Sequence, residues 1–280
     1  MTSSGAEPLG IRVDADFQLL EVDPHATPGF DGDKRDGEAA LKDEAKKLSA
    51  LQERLFAAGK GGDRRSVLLV LQAMDTAGKG GIVRHVIGSV DPQGVELHAF
   101  KAPTDEEKAH DFLWRVRPHL PSPGMIGVFD RSHYEDVLIG RVRGLAPAEE
   151  IERRYSEIVR FEEEVAGQGT TILKVMLHIS SEEQRARLED RLDRPDKHWK
   201  FNPGDIDERE RWEAYQEAYE IALTRTSTPS APWFVVPADR KWYARLAVGN
   251  ILLRALEAID PQWPDADFDV EHEKARLAAS

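Results

Sequence analysis

The sequence predicts an α/β fold built on a parallel sheet of five strands, and three observations carry that prediction. The stretch "SVLLVLQAM" (66–74) is an almost unbroken apolar run rich in Val and Leu, as expected of a strand covered on both faces. Segments of that kind alternate with segments of helical periodicity along most of the chain. With 40% hydrophobic residues, 280 residues are enough for one large domain with a full core.

The elements follow in order. Residues 1–35 mix Gly, Pro, Asp and Ser with few apolar residues in series and are expected to form an arm that lies on the body or frays. From Gly37, "EAALKDEAKKLSALQERLFAAGKGG" puts Leu41, Ala45, Leu48, Leu51, Leu55 and Phe56 on one face and ends in glycines, the pattern of an amphipathic helix with a glycine stop. After the 66–74 strand, "GIVRHVIGSV" reads as a helix, "VELHAF" as a strand and "GMIGVFD" as another strand. Between those two strands, "TDEEKAHDFLWRVRPHL" reads as a helix opened by Thr104, with Glu107 three residues on. "PAEEIERRYSEIVRFEEEVAGQG" is a helix with Pro147 at its start, "TTILKVMLHI" a strand and "SSEEQRARLEDRL" a helix. "PWFVVP" is the last strand and "RKWYARLAVGNILLRALEAI" the last helix. Residues 263–280, rich in Pro and Asp, are expected to be a surface tail. The main domain is thus expected over 36–262, with no internal repeat.

Composition narrows the chemistry. Zero cysteines remove disulfides, thiolate metal sites and cysteine nucleophiles. A net charge of −13, from 38 basic and 51 acidic residues, argues against nucleic acid or an anionic membrane as partner, since both need a basic face. A local basic channel for a polyanion remains compatible with that sum. There is no run of eighteen apolar residues, and the expectation is a soluble, cytoplasmic protein.

The informative stretch is "LQAMDTAGKGG" (71–81), at a strand-to-helix junction. It approaches the phosphate-binding pattern of Gly, four residues, Gly-Lys and Ser or Thr, but Ala73 stands at the first glycine and Gly80 at the hydroxyl. In such a loop Thr76, Ala77, Gly78, Gly80 and Gly81 supply backbone to phosphate oxygens, and Lys79 reaches the phosphate being transferred. Asp75 offers a carboxylate where the hydroxyl is missing, a better donor for a hard cation. "IGVFDRSHYEDV" then ends an apolar strand in Asp130, where α/β sheets bind ligands and where a metal carboxylate belongs, with Arg131 beside it to stabilise phosphoryl charge. The bland alternatives are a glycine turn with a surface lysine and an ordinary loop aspartate.

"RARLEDRLDRPDKHWKFNPGD" (185–205) crowds Arg185, Arg187, Arg191, Arg194, Lys197, His198 and Lys200 into one segment broken by Pro195 and Pro203. A charge run is usually a solvated face. Prolines that end a helix and lead into a Trp-containing basic loop instead suit a lid over phosphates at about 185–210, with Arg191 the direct contact. Trp212, Tyr215 and Tyr219 lie at helical spacing and are expected in the core rather than in a stacking platform. The nine histidines show no metal spacing.

These strings, together with "FKAPTDEEKAHDFLWR", "TTILKVMLHISSEEQ" and "APWFVVPADRKWYARLAV", make the chain resemble the polyphosphate kinase 2 family from about Leu48 to Asp269. The "DRSHYEDVL" form is similar to the branch acting on both AMP and ADP; other branches tend to carry Asn where Glu135 stands. The resemblance implies a three-layer P-loop kinase fold like that of thymidylate kinase, with a helical lid. It implies Mg²⁺, with Mn²⁺ as second candidate, on Asp75 and Asp130; Lys79 and Arg131 on the transferred phosphate; and Arg191 in the lid. Glu135, Arg194, Lys197 and Lys200 are expected to join the phosphate or nucleotide contacts, and Arg84, His85, Lys101, Lys108, Arg115 and Arg117 the polyphosphate channel. The implied reaction moves the terminal phosphate of polyphosphate to AMP or ADP, with guanine nucleotides as further acceptors, in a homodimer or homotetramer. The rivals are an ATP-dependent nucleoside monophosphate kinase and a non-catalytic binding module.

Overall fold

The computed structural model describes residues 8–280. Its frame is a six-stranded sheet of β1 (Ile11–Arg12), β2 (Ser66–Ala73), β3 (Val95–Ala99), β4 (Ile126–Asp130), β5 (Thr170–His178) and β6 (Trp233–Pro237), ordered β1-β6-β5-β2-β4-β3. The five strands expected from sequence are all present and mutually parallel. The sheet nevertheless has six strands and is mixed, because the arm contributes β1, which pairs antiparallel with β6 through Ile11↔Val235 and Arg12↔Phe234. Two residues carry no readable period, so only the free edge of β6 makes them a strand. The arm therefore lies on the body from residue 8; residues 1–7 of the expected arm lie outside the described residues.

Every residue of β2 is buried, as its apolar run requires, and its side chains alternate between two cores. Val67, Leu69 and Leu71 face α1 (Lys34–Lys60) and α9 (Lys241–Ile259), whereas Leu68 and Val70 face α5 (Ala148–Gly167) and α8 (Trp212–Thr226). Helices thus cover both faces, giving three layers. The helix expected from Gly37 begins earlier, at Lys34, because Asp33 and Asp36 form a reciprocal capping box. Gly37 lies under the Trp242 ring, where a Cβ would come within 2.3 Å of it.

The segment 104–120 departs most from expectation. Thr104 caps the helix as read, but α3 ends after one turn, Asp105–Lys108. Asp111 then accepts from the Leu113 amide at 3.0 Å, a local bond that competes with helix continuation, and Phe112, Leu113 and Val116 turn into the core. Trp212, Tyr215 and Tyr219, read at helical spacing, lie on α8, and a separate short helix, α7 (Gly204–Arg209), precedes it. Residues 263–280 are exposed as expected, yet carry a helix, α10 (Val270–Ala278), capped by Asp269. The short helices α2 (Lys79–His85), α4 (Ile139–Val142) and α6 (Ser181–Asp193) complete the chain.

The chain passes from β4 on one side of β2 to β5 on the other, so the winding reverses at β2. The crevice at the carboxyl end of β2, where such sheets take ligands, is occupied by residues 74–78 and α2.

Candidate active site

The loop that ends β2 explains its own departures from the common pattern. Ala73 is the last residue of a regular strand, paired with Leu177 of β5, so no glycine is needed there. The left-handed positions come later, at Thr76 (φ 66°) and Gly78 (φ 121°). The first of these costs a non-glycine residue about 1–2 kcal/mol. A Cβ on Gly80 would meet no protein atom within 4 Å, which leaves that side of the loop open for ligand. Lys79 folds back over the loop, its Nζ donating to the Ala73 carbonyl at 3.3 Å.

Asp130 closes β4 beside Leu71 of β2, and Arg131 follows with φ 65°, its amide held by the Leu71 carbonyl at 3.0 Å. This turn sends the guanidinium to Asp75 (3.3 Å) on one side and Glu135 (3.4 Å) on the other. Burial works against the Arg131 charge, but the two carboxylates outweigh it and hold its pKa above the ordinary value. Burial pushes the Glu135 carboxyl up, and Arg131 and Lys79 offset only part of that rise.

Beneath this turn lies a buried polar cluster. Lys174 of β5 donates to Glu162 (2.5 Å), the Tyr134 hydroxyl (2.9 Å) and the Thr226 carbonyl (2.7 Å). Glu162 also meets His133 (3.3 Å) and accepts from Tyr134 (2.9 Å). Burial favours neutral Glu162, yet Lys174 and His133 keep its carboxyl below the usual range. The cluster pins His133 and Tyr134 between the two residues, Arg131 and Glu135, that face the cleft.

Two cavities meet at Asp75, the one residue that lines both. The larger, about 720 Å³, is bordered by 75–82, Arg84, His85, Asp130, Arg191 of α6, and Lys197, Trp199 and Lys200 of the segment after it. Lys241 and Arg245 enter from the first turns of α9 and Arg187 from α6, so eight lysines and arginines face three aspartates there. Burial lowers the pKa of Lys241 and of Arg245, and their acidic neighbours, Glu183 and Asp190 for the first and Glu38 for the second, offset only part of it. The smaller, about 170 Å³, is lined by Met74, Arg131, Glu135, Arg143, Asp205, Tyr215 and Tyr219 among others. Tyr215 and Tyr219 are buried, as read for the core, but each also borders this cavity; burial raises Tyr215 to about 12. Burial, then the Asp75 carboxylate, raises the Asp205 carboxyl.

The structure brings Asp75, Thr76, Ala77, Gly78, Lys79, Gly80, Gly81, Arg84, His85, Asp130, Arg191, Lys197 and Lys200 to the large cleft, and Arg131 and Glu135 to the small one. Five expected residues are elsewhere. Arg194 is exposed and pairs with Asp196 (2.8 Å). Arg117 pairs with Glu164 (3.1 Å), Lys108 with Asp105 (3.0 Å) and Arg115 with Glu107 (3.6 Å), while Arg115 also binds the Lys101 carbonyl (2.7 Å). These last four follow β3, an edge strand separated from β2 by β4, and none lines the cleft. Arg191 does line it, although its donors go to the Lys200 carbonyl (3.1 Å) and Asp205 (3.3 Å), tying α6 to the segment that follows it. Lys241 and Arg245 escaped sequence reading. Their signal was an i,i+4 basic pair opening the helix after the last strand, "DRKWYAR".

Among the described residues no three His, Cys, Asp or Glu side chains converge as a metal cage. Asp75 and Asp130 at the mouth of one basic cleft are an all-oxygen donor pair of the kind that holds Mg²⁺ together with substrate phosphate oxygens.

Comparison with known proteins agrees with this geometry. The family description "Polyphosphate kinase 2 (PPK2)" matches residues 31–264. An AMP/ADP-polyphosphate phosphotransferase of Meiothermus ruber is 46% identical over 92% of this chain and 95% of its own. An ADP-polyphosphate phosphotransferase of Rhodopseudomonas palustris is 40% identical over 91% and 90%. The crystal structure of polyphosphate kinase 2 from Arthrobacter aurescens TC1, 58% identical, superimposes with a TM-score of 0.94 over 96% of this chain and 95% of that one. With a glycine-rich loop after β2, the Asp75 and Asp130 carboxylates and a basic cleft in place, the chain belongs to the polyphosphate kinase 2 family.

Proposed function

We propose that this protein transfers the terminal phosphate of inorganic polyphosphate to AMP and ADP by in-line displacement. The single observation that carries the reading is the large cleft: its basic lining suits a long polyanion, and it meets a second, smaller cavity at Asp75. Polyphosphate lies along the cleft with its end at Lys79, held by Arg84, His85, Lys197, Lys200, Lys241 and Arg245. The acceptor nucleotide presents its phosphate from the side of Arg131, Glu135 and the two tyrosines. An oxygen of the nucleotide phosphate attacks the terminal phosphorus; that P–O bond forms as the bond to the shortened polyphosphate breaks. Lys79 and Arg131 neutralise the charge spread over the transferring group, and the lid excludes water that would otherwise take the phosphoryl group. No covalent enzyme intermediate is needed. Mg²⁺ bound by Asp75 and Asp130 would add charge neutralisation and orientation of the phosphate oxygens.

We further read the fold as a P-loop kinase domain over 36–262 with a lid at about 185–210, working in the cytoplasm as a homodimer or homotetramer; the likeness to the family supports the kinase fold. No helix among the described residues is long and apolar enough to cross a membrane.

The test is a substrate panel of AMP, ADP, GMP and GDP with Mg²⁺ and long-chain polyphosphate, without ATP. Formation of ADP and ATP from AMP is expected. A protein that phosphorylates AMP only when ATP is supplied is an ordinary monophosphate kinase and overturns the reading.

A further inference from the structure

We propose that Gln184 and Arg187, one turn apart on α6, are positioning residues that fix the phosphate loop, and that Arg209 of the lid helix α7 ties them to the lid. The geometry is a run of three consecutive carbonyls. Gln184 Nε2 donates to the Asp75 carbonyl at 3.1 Å, and Arg187 Nη1 to those of Thr76 (3.0 Å) and Ala77 (2.9 Å). Both side chains are buried, at 1% and 6% exposure. In a trans peptide the amide points opposite to its carbonyl, so three carbonyls turned to α6 send the following amides the other way. The amides of Thr76 and Gly78 make no hydrogen bond among the described residues.

Arg187 borders the large cleft, where any arginine invites the role of a phosphate ligand. Its donors are already spent. Besides Thr76 and Ala77, Nη2 serves the Ala238 (2.6 Å) and Asp239 (3.0 Å) carbonyls and Nε serves Glu183 (2.7 Å). A guanidinium has five N–H groups, and five acceptors take them. Arg187 therefore binds the loop to the end of β6 rather than binding substrate.

Gln184 faces both ways. Its amide holds Asp75, while its carbonyl accepts from Arg209 Nη1 at 3.0 Å; Arg209 also reaches the Ser181 carbonyl (2.7 Å) and hydroxyl (3.1 Å). A displacement of the lid helix is thereby passed through one side chain to the backbone of the residue shared by the two cavities. This inference rests on the reading of 75–81 as the phosphate site.

Two measurements test it: steady-state kinetics with AMP and polyphosphate, and amide hydrogen exchange of the 74–82 segment in the full chain without substrate. Gln184→Leu and Arg187→Lys are expected to lower kcat about tenfold or more with KM for polyphosphate changed less than about threefold. They are expected to speed exchange of the loop amides about tenfold while β2 stays protected. Arg209→Ala, on the half-buried lid helix, is expected to act in the same direction, and Gln184→Leu/Arg209→Ala to be no worse than Gln184→Leu alone, since both act through one bond. Unchanged loop exchange in folded Gln184→Leu and Arg209→Ala would overturn the inference. So would an Arg187→Lys variant whose KM for polyphosphate rises about tenfold at intact kcat, the signature of a lost substrate contact. Lys79→Ala separates this from the underlying reading: full turnover by that variant overturns the site, and the inference with it, whereas its loss alongside unchanged loop exchange overturns the inference alone.

Discussion

Asp75 is the residue on which the site turns. It faces Arg131 at 3.3 Å, borders both cavities and stands in the loop where the common pattern offers no acid. Lys79→Ala and Asp130→Asn are each expected to abolish most phosphoryl transfer with thermal unfolding nearly unchanged, because both side chains border the cleft and neither anchors the core. Activity assays paired with melting curves check this; a folded variant with full turnover removes its residue from the mechanism. The opposite balance holds for Glu162, 2% exposed and paired with Lys174. Glu162→Gln leaves a buried ammonium uncompensated and is expected to cost about 3–5 kcal/mol. The same carboxyl gives a pH dependence. Its folded pKa lies below the ordinary 4.5, so its stabilisation is complete above about pH 4.5 and is lost as pH falls through the lower folded value. Denaturant titrations between about pH 3 and 7 should show a shallower acid limb in Glu162→Gln than in the parent.

At the scale of elements, β2 and the loop after it divide the labour between a rigid strand and a cradle. Ala73 belongs to the strand, in register with Leu177, and not to the cradle. Restoring the missing glycine by Ala73→Gly is therefore expected to leave kcat unimproved and to destabilise the protein by about 0.5–1 kcal/mol. A rise in kcat would show that the methyl group constrains the loop. The basic segment that follows α6 is a second composite element. Arg191 braces it through Asp205 and the Lys200 carbonyl, leaving Lys197 and Lys200 on the cleft side. Helix α9 adds Lys241 and Arg245 to the same cleft, and it can do so because its first turn starts four residues after β6 ends.

The whole molecule is acidic, at −13, while the cleft at the loop after β2 is basic. An acidic exterior around a positive groove directs a polyanion to that groove and repels it elsewhere. Raising ionic strength from about 0.05 to about 0.2 M, which shortens the Debye length from roughly 14 to 7 Å, is expected to raise KM for polyphosphate several-fold. The nucleotide KM should move less, since in the smaller cavity Arg131 and Arg143 stand among the carboxylates of Asp75, Glu135, Asp205 and Glu208 and the lining is not basic. Equal salt sensitivity of the two constants would count against assigning the long substrate to the basic cleft.

By itself the sequence determined the parallel frame, since each buried strand needs a continuous apolar run, and it determined the glycine-rich loop and the strand-end aspartate, since each is written in neighbouring residues. Local reading failed where a non-local partner decided the outcome. Ile11 and Arg12 become a strand only because β6 has a free edge, and the 104–120 helix stops because Asp111 and three apolar side chains find better partners than the next helical turn. The same applies to the basic residues. Their number in the sequence gave no direction, and only the tertiary structure sent Lys241 and Arg245 into the cleft while Arg115 and Arg117 turned to Glu107 and Glu164. It also decided that Arg187 spends four donors on backbone carbonyls and the fifth on Glu183, because hydrogen-bond demand is set by which chain segments the fold brings together.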